Sequence, residues 1–236
     1  MARTYNQDCT LAHALDLLGE RWTLLIVREL LLGPRRFGEI QAGLTGIGAN
    51  LLSKRLRELS EFGLVMAPAP GDSGPYKLTE IGEELRASTR ELMQWSIHYF
   101  LKRPEAQAAQ ACLYSNNLQP DSVALAIEIF AARYAESDLN YVARVLIDGF
   151  PYTLYYMNNT MTARRGGDAP AVATITGPVS TYMRAFRGEL NMSGAKSQMT
   201  FQGDEQVIAH LLQSIVLDHD EKMRATLTSS PSSLAS

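Results

Sequence analysis

A segment from about Ala49 to Glu61 constrains this chain more than any other. Leu52, Leu56 and Leu59 fall at i, i+4 and i+7, so a helix here carries one apolar stripe that must pack inward. The opposite face carries Asn50, Ser53, Lys54 and Arg57. A turn at Leu44-Thr45-Gly46-Ile47-Gly48 precedes the segment. Gly63 follows it, where a helix end takes a glycine in the left-handed conformation. Any fold built on this segment covers the leucines and leaves a small, polar, basic face in solvent.

The flanking sequence supplies the cover. Leu11, Ala14, Leu15 and Leu18 recur at helical spacing until Gly19 breaks the run. Trp22 to Leu32 is apolar on several faces, which predicts a buried helix, and Gly33-Pro34 stops it. A third short helix is predicted from Phe37 to about Ala42. Beyond Gly63, the strands Leu64-Val65-Met66 and Tyr76-Lys77-Leu78 flank a Gly/Pro tip from Ala67 to Pro75. Thr79 suits the N-cap of a helix running from Glu80 towards Tyr99. Helix, helix, helix–turn–helix, hairpin, helix is the order of a mainly-α winged helix–turn–helix domain. A polar and basic helix face fits the major groove of double-stranded DNA, with its N-terminal residues at base edges.

Composition bears on that expectation through charge. The whole chain has a formal net charge of −3, which discourages nucleic-acid binding only while it is read whole. Residues 1–103 hold 13 basic and 12 acidic side chains, and the remainder holds 9 and 13. Within Gly33–Ser60, Arg35, Arg36, Lys54, Arg55 and Arg57 face only Glu39 and Glu58. The acidity lies in the other half, and the predicted DNA-binding segment is locally positive.

These residues carry a resemblance. The run from Ala14 through Gly19-Glu20-Arg21-Trp22 to Ile26, with Cys9 ahead of it, resembles the opening of the HxlR-type, MarR-like regulators of bacteria. Gly33-Pro34-Arg35-Arg36-Phe37-Gly38-Glu39-Ile40, Leu52–Leu59 with Gly63-Leu64-Val65, and Tyr76–Gly82 continue the pattern, over about residues 8–100. The resemblance implies a homodimer with N-terminal and post-wing helices at its interface. It also implies DNA contacts from Arg35, Arg36, Asn50, Ser53, Lys54, Arg55 and Arg57 and from the wing. Two departures stand out: the wing tip Gly71-Asp72-Ser73-Gly74 has no basic residue, and Thr10 follows Cys9 where proline is usual. Some such regulators sense electrophiles or oxidants through the N-terminal cysteine, which makes Cys9 a candidate redox sensor. The alternative for Cys9 is a small buried apolar residue at a helix start.

The last hundred residues have a different texture. A helix is predicted from Pro120 to about Ser137, with Val123, Ile127 and Phe130 on one face. Strands follow at Leu139–Ile147, Tyr152–Asn158, Thr160–Arg164 and Ala171–Thr176, with hairpin turns at Asp148-Gly149 and Asn158-Asn159. Pro178 to Phe186 reads as a helix, Gln198–Gln202 as a strand and Glu205 to Leu217 as a closing helix. The order resembles the sterol-carrier-protein-like domain, an α+β layer, on Ala173–Pro178, Phe186–Leu190 and Met199–Asp204. That resemblance implies an apolar cavity for a small apolar or aromatic ligand. Alternation puts Tyr152, Leu154 and Tyr156 on one strand face and Tyr155 and Met157 on the other. Candidate lining residues are Tyr152, Tyr156, Met157, Met183, Phe186, Met192 and Phe201, each of which also reads as ordinary core.

The expected organisation is a DNA-binding and dimerisation domain over 1–103, a linker over 104–119, a ligand-binding domain over 120–225 and a disordered tail over 226–236. No catalytic constellation, metal-ligand spacing, phosphate loop or cofactor motif stands out, so a non-enzyme is expected. Asp218-His219-Asp220-Glu221 reads as a solvated helix end. Apolar runs are short of a membrane span, the N-terminus is polar, and two cysteines make no disulfide framework, so a cytoplasmic location is expected. The leading expectation is a ligand-responsive transcriptional regulator, a repressor released by its effector. The alternatives are a thiol-based sensor acting through Cys9 and a small-molecule carrier.

Overall fold

The computed structural model describes residues 4–101, 119–134, 138–186 and 189–216. The expected tail, nearly all of the expected linker and the segment Asp218–Glu221 lie outside the described residues. The chain divides into two compact units, Met1–Leu113 and Tyr114–Ser236. No helix among the described residues is long and apolar enough to cross a membrane.

In the first unit the order is α1 (Thr10–Leu18), α2 (Thr23–Leu31), α3 (Phe37–Gly43), α4 (Ala49–Glu61), β1 (Val65–Met66), β2 (Lys77–Leu78) and α5 (Glu80–Leu101). Leu52, Leu56 and Leu59 of α4 are at most 1% exposed and join Ile26, Val27, Leu30 and Leu31 of α2 in one core with Ile40 and Leu44. Helix α2 is buried on most sides, as its apolar run predicts. Helix α4 ends as Gly63 predicts. Gly63 has φ +72, its N–H donates to the Ser60 carbonyl, and the Leu64 N–H donates to the Leu59 carbonyl. That pair of bonds turns the chain directly into β1.

The wing is short. β1 and β2 pair antiparallel, and a bridge between Arg35 and Tyr76 extends the ladder to the residues just before α3. Thr79 caps α5: its Oγ1 accepts from the Gly82 N–H at 3.1 Å and donates to the Gly63 carbonyl at 2.6 Å. Helix α5 therefore starts hard against the end of α4. A Cβ at Gly82 would collide with the Leu64 carbonyl, so only glycine permits this approach.

In the second unit the order is α6 (Pro120–Tyr134), β3 (Tyr141–Ile147), β4 (Phe150–Met157), β5 (Thr160–Arg165), β6 (Ala173–Gly177), α7 (Val179–Phe186), α8 (Met192–Gln198), β7 (Thr200–Gly203) and α9 (Glu205–Ile215). The sheet order is β5-β4-β3-β6-β7, with β3 and β6 parallel and the other pairs antiparallel. Both hairpins turn on two residues with positive φ, Asp148 and Gly149 at +50 and +82 and Asn158 and Asn159 at +50 and +59. Those dihedrals match the right-handed twist of the strands. One sheet face is buried through Tyr141, Ala143, Val145, Tyr152, Leu154, Tyr156, Met161, Ala163 and Ile175. Helix α6 packs over β5 and against α9.

Several boundaries depart from the sequence reading by one or two residues: β3 begins at Tyr141 rather than Leu139, and β6 at Ala173 rather than Ala171. Strand β4 begins at Phe150, because a two-residue turn leaves Phe150 directly paired with Ile147. Helix α8 falls where the sequence reading assigns no element, and the strand expected from Gln198 starts at Thr200. Asn191 nucleates that helix by accepting from the Gly194 N–H at 2.8 Å, while Ser and Gly within it mask the helical signal.

Gly82→Ala is expected to destabilise the first unit by about 1–3 kcal/mol, through forced separation of α5 from β1. Both tryptophans, Trp22 and Trp95, lie in that unit, so urea unfolding followed by tryptophan fluorescence measures the loss.

Candidate nucleic-acid interface

The face of α4 opposite the leucine stripe is open. Asn50, Ser53, Lys54 and Arg57 are exposed, with side-chain exposures of 56% for Lys54 and 70% for Arg57. Lys54 and Arg57 lie 3.9 and 3.7 Å from Glu58 and Glu61, one turn on. Such solvated pairs are worth little and yield readily to a stronger anion. Arg36 is exposed at the start of α3, where its backbone N–H donates to Glu39 Oε2 at 2.7 Å. Arg36, Asn50, Ser53, Lys54 and Arg57 thus share a solvent-facing placement on the helix–turn–helix.

Arg35 and Arg55 are placed differently. Arg35 is hydrogen-bonded to the carboxylate of Glu29, which is 4% exposed in α2 and also pairs with Arg28 at 2.6 Å. Its backbone N–H donates to the Tyr76 carbonyl at 2.9 Å, so Arg35 ties α2 to the wing. Arg55 is 7% exposed and pairs with Glu20 and Glu58, each at 2.6 Å. Spacing carried the signal for Arg55. Positions 52, 55, 56 and 59 are i, i+3, i+4 and i+7, so Arg55 belongs to the inward stripe. For Arg35 the partner Glu29 lies in a segment that reads as apolar on several faces, and no local pattern pairs it with Arg35. A groove of about 1120 Å³ runs between the N-terminal arm and α4, lined in part by Tyr5, Asp16, Glu20, Lys54 and Arg57.

Cys9 is a free, exposed thiol at the N-cap position of α1, rather than a buried apolar residue. Among the described residues no group of three His, Cys, Asp or Glu could hold a metal ion.

The residues expected to line a cavity in the second unit scatter over several surroundings. Tyr156 is fully buried, and its hydroxyl donates to Asn159 at 2.9 Å. Tyr152 is 3% exposed and donates to Asp121, which also receives Arg165 at 2.7 Å. Phe186 stacks on Phe130 with ring centroids 5.1 Å apart. Met183, Met192 and Phe201 are half-buried, and Met157 is exposed on the opposite strand face. Three further residues join this interior: Tyr141, Tyr182 and His210. Tyr141 stacks on Tyr156, and its hydroxyl lies 2.7 Å from Nδ1 of His210. Burial, and then Tyr156 beside it, raise the Tyr141 phenol above its ordinary value, which keeps it protonated and able to donate. Tyr182 is buried with no hydrogen-bond partner for its hydroxyl among the described residues, and burial raises its phenol too.

A two-helix core with an outward polar helix and a short wing defines a winged helix–turn–helix DNA-binding unit. The chain belongs to the HxlR-like helix-turn-helix family of transcriptional regulators, whose pattern it matches over residues 17–104. It is 49% identical over 100 residues to the uncharacterized HTH-type transcriptional regulator Rv3095 of Mycobacterium tuberculosis, covering 41% of this chain and 61% of that one. It is 37% identical over 86 residues to the HTH-type transcriptional regulator YodB of Bacillus subtilis, covering 35% and 77%. The crystal structure of quinone-bound YodB aligns with a TM-score of 0.34 at 35% identity, over 37% of this chain and 96% of that one. The chain thus spans about three fifths of the length of the mycobacterial relatives it matches.

Glu29→Ala is expected to cost about 3 kcal/mol, because it removes the buried carboxylate that pairs with both Arg28 and Arg35. Glu61→Ala, at an exposed pair, is expected to cost less than about 0.5 kcal/mol. Urea unfolding curves of the two variants check the contrast.

Proposed function

We propose that the chain is a homodimeric repressor that binds a pseudo-palindromic operator and releases it on binding a small apolar or aromatic effector. The observation that carries the DNA-binding part is the solvent-facing set Arg36, Asn50, Ser53, Lys54 and Arg57 on α3 and α4. Lys54 and Arg57 supply phosphate or guanine contacts, and Asn50 and Ser53 at the start of α4 supply short polar contacts to base edges. Arg35 and Arg55 support these residues from inside the fold. The wing tip, with Asp72 and no cation, contributes backbone groups rather than charge.

Dimerisation is supported by exposed apolar residues on two helices of the first unit. Leu11 and Leu15 on α1 are 65% and 41% exposed, and Leu92 and Trp95 on α5 are 50% and 61% exposed. Tyr99 stacks on Trp95 and extends the second stripe. Burying such stripes against a second copy removes apolar surface that a monomer leaves in water.

The effector part rests on the second unit. A helix, a three-stranded meander, a crossover to a parallel strand, helices, a fifth strand and a closing helix support the sterol-carrier-like reading. The buried Tyr141, Tyr156 and His210 and the half-buried Met183, Met192 and Phe201 are the chemistry that would meet an aromatic or lipid-like molecule. An effector acts only if its affinity differs between DNA-competent and incompetent dimers, typically by about 1–3 kcal/mol. The exposed thiol of Cys9 supports a second reading, in which oxidation or an electrophile releases DNA.

Arg57→Ala is expected to weaken operator binding about tenfold and to lower the salt slope by about 2, one phosphate contact per protomer, with the dimer intact. Mobility-shift titrations across a salt series test it, and wild-type affinity and slope would remove α4 from the interface. For the effector, native mass spectrometry is expected to show a co-purifying small molecule in the second unit, or binding of the fluorescent fatty acid cis-parinarate that weakens the operator complex. Cys9→Ser is expected to leave that response intact; loss of response in this variant moves sensing to the thiol.

A further inference from the structure

We infer that Arg55 is a positioning residue, which sets the orientation of α4 through Glu20 and does not itself touch DNA. The inference rests on α4 being the recognition helix, as proposed above. Arg55 turns its donors inward. Nη2 donates to Glu20 Oε2 at 2.6 Å, Nη1 donates to Glu58 Oε2 at 2.6 Å, and Nε donates to the Arg21 carbonyl at 3.4 Å. The Glu58 pair lies within α4 and fixes nothing outside it. The other two bonds reach the turn between α1 and α2, 34 and 35 residues earlier in the chain. They are the polar ties that set α4 against another element, beside a leucine stripe that is itself non-directional.

The turn that receives these bonds is held firmly. Trp22 takes φ +80, a conformation that a bulky side chain rarely adopts. Its ring packs on the core, and the Arg21 guanidinium sits 5.1 Å from the ring centroid. The Thr23 N–H donates to the Glu20 carbonyl at 3.1 Å. On the preceding helix, Asp16 accepts from the Thr4 hydroxyl and the Tyr5 N–H, each at 2.9 Å. The N-terminal arm is tied to α1 at Asp16, and the turn that follows α1 is tied to Arg55.

Geometry turns this into a binding effect. Helix α4 has 13 residues, so it is about 20 Å long, and a 10° tilt about its middle moves each end by about 1.7 Å. A displacement of that size breaks a hydrogen bond to a base edge. Asn50, five residues from the middle of α4, moves by about 1.3 Å, whereas Lys54 and Arg57 lie beside the pivot and move by less than about 0.6 Å. Phosphate attraction is far less sensitive to such a shift, because it depends on charge more than on angle. Loss of the Glu20 tie therefore lowers specific binding and spares non-specific binding.

The test compares Glu20→Gln, Arg55→Met and Arg57→Ala in the full chain. Fluorescence anisotropy over a salt series uses two duplexes: the site that the wild-type protein selects from random-sequence DNA, and a scrambled duplex of equal length. Glu20→Gln and Arg55→Met are expected to lose about tenfold on the selected site and to keep wild-type affinity and salt slope on the scrambled duplex. Arg57→Ala is expected to lose on both, with a slope lower by about 2 for the dimer. The inference is overturned if Arg55→Met lowers the slope as Arg57→Ala does, which makes Arg55 a phosphate contact. It is also overturned if Glu20→Gln binds the selected site as wild type does. A fall in unfolding temperature that alone accounts for the lost binding overturns it as well. Wild-type behaviour of Arg57→Ala removes the recognition-helix reading instead, and this one with it.

Discussion

The first unit depends on burial of one leucine stripe. Leu52, Leu56 and Leu59 on α4 each remove a large side chain from water, at about 1.5–3 kcal/mol apiece. No short helix keeps its orientation without such an anchor. Once those three positions face α2, every other residue of α4 has its direction assigned. Asn50, Ser53, Lys54 and Arg57 must face solvent, and Arg55 must face the turn before α2. The Gly63 cap then sends the chain into β1 at a set angle, and Thr79 and Gly82 bring α5 back onto that corner. The outward polar face of α4 is a consequence of the inward apolar one.

Much of this was legible in the sequence because it rests on periodicity and on turn chemistry. The bounds of α4, the glycine stop at Gly63 and the cap at Thr79 each follow from a local rule. The two cations that turn inward follow from something else. Arg55 lies on the leucine stripe by spacing, but its type suggests the surface, and Glu20, 35 residues away, joins Glu58 and the Arg21 carbonyl in making its burial tolerable. Arg35 needs Glu29, an acidic residue inside an apolar run. Each buried cation is decided by a partner on another element, Glu20 across 35 residues or Glu29 across the turn before α3, and the pattern of its own segment does not contain that partner.

The second unit shows the same division. Alternation along β4 separates Tyr152, Leu154 and Tyr156 from Tyr155 and Met157, and the sheet buries the first set and exposes Met157. The turns at Asp148-Gly149 and Asn158-Asn159 follow from residues that accept positive φ. Pairing of Tyr141 with His210 does not follow, because it joins β3 to α9 across 69 residues. Helix α8 is hidden for a different reason. Its interior of Ser, Gly, Ala and Lys carries almost no apolar period, and a single side-chain bond from Asn191 starts it.

Charge ties the two levels together. Five cations between Gly33 and Ser60 make the segment positive, yet Glu20 and Glu29, outside it, take up Arg55 and Arg35. The exposed set that remains is Arg36, Lys54 and Arg57. On the proposed reading, three cations per protomer give a salt slope near −3 for one subunit and twice that for a dimer, by the usual factor of about −0.9 per phosphate. A grip of that size needs both half-sites together to exceed binding to random DNA. Small numbers of cations also make geometry matter more, since each contact is a larger share of the whole. On that reading Arg55, turned inward, serves the same end as the outward cations: it holds the angle at which they meet a site.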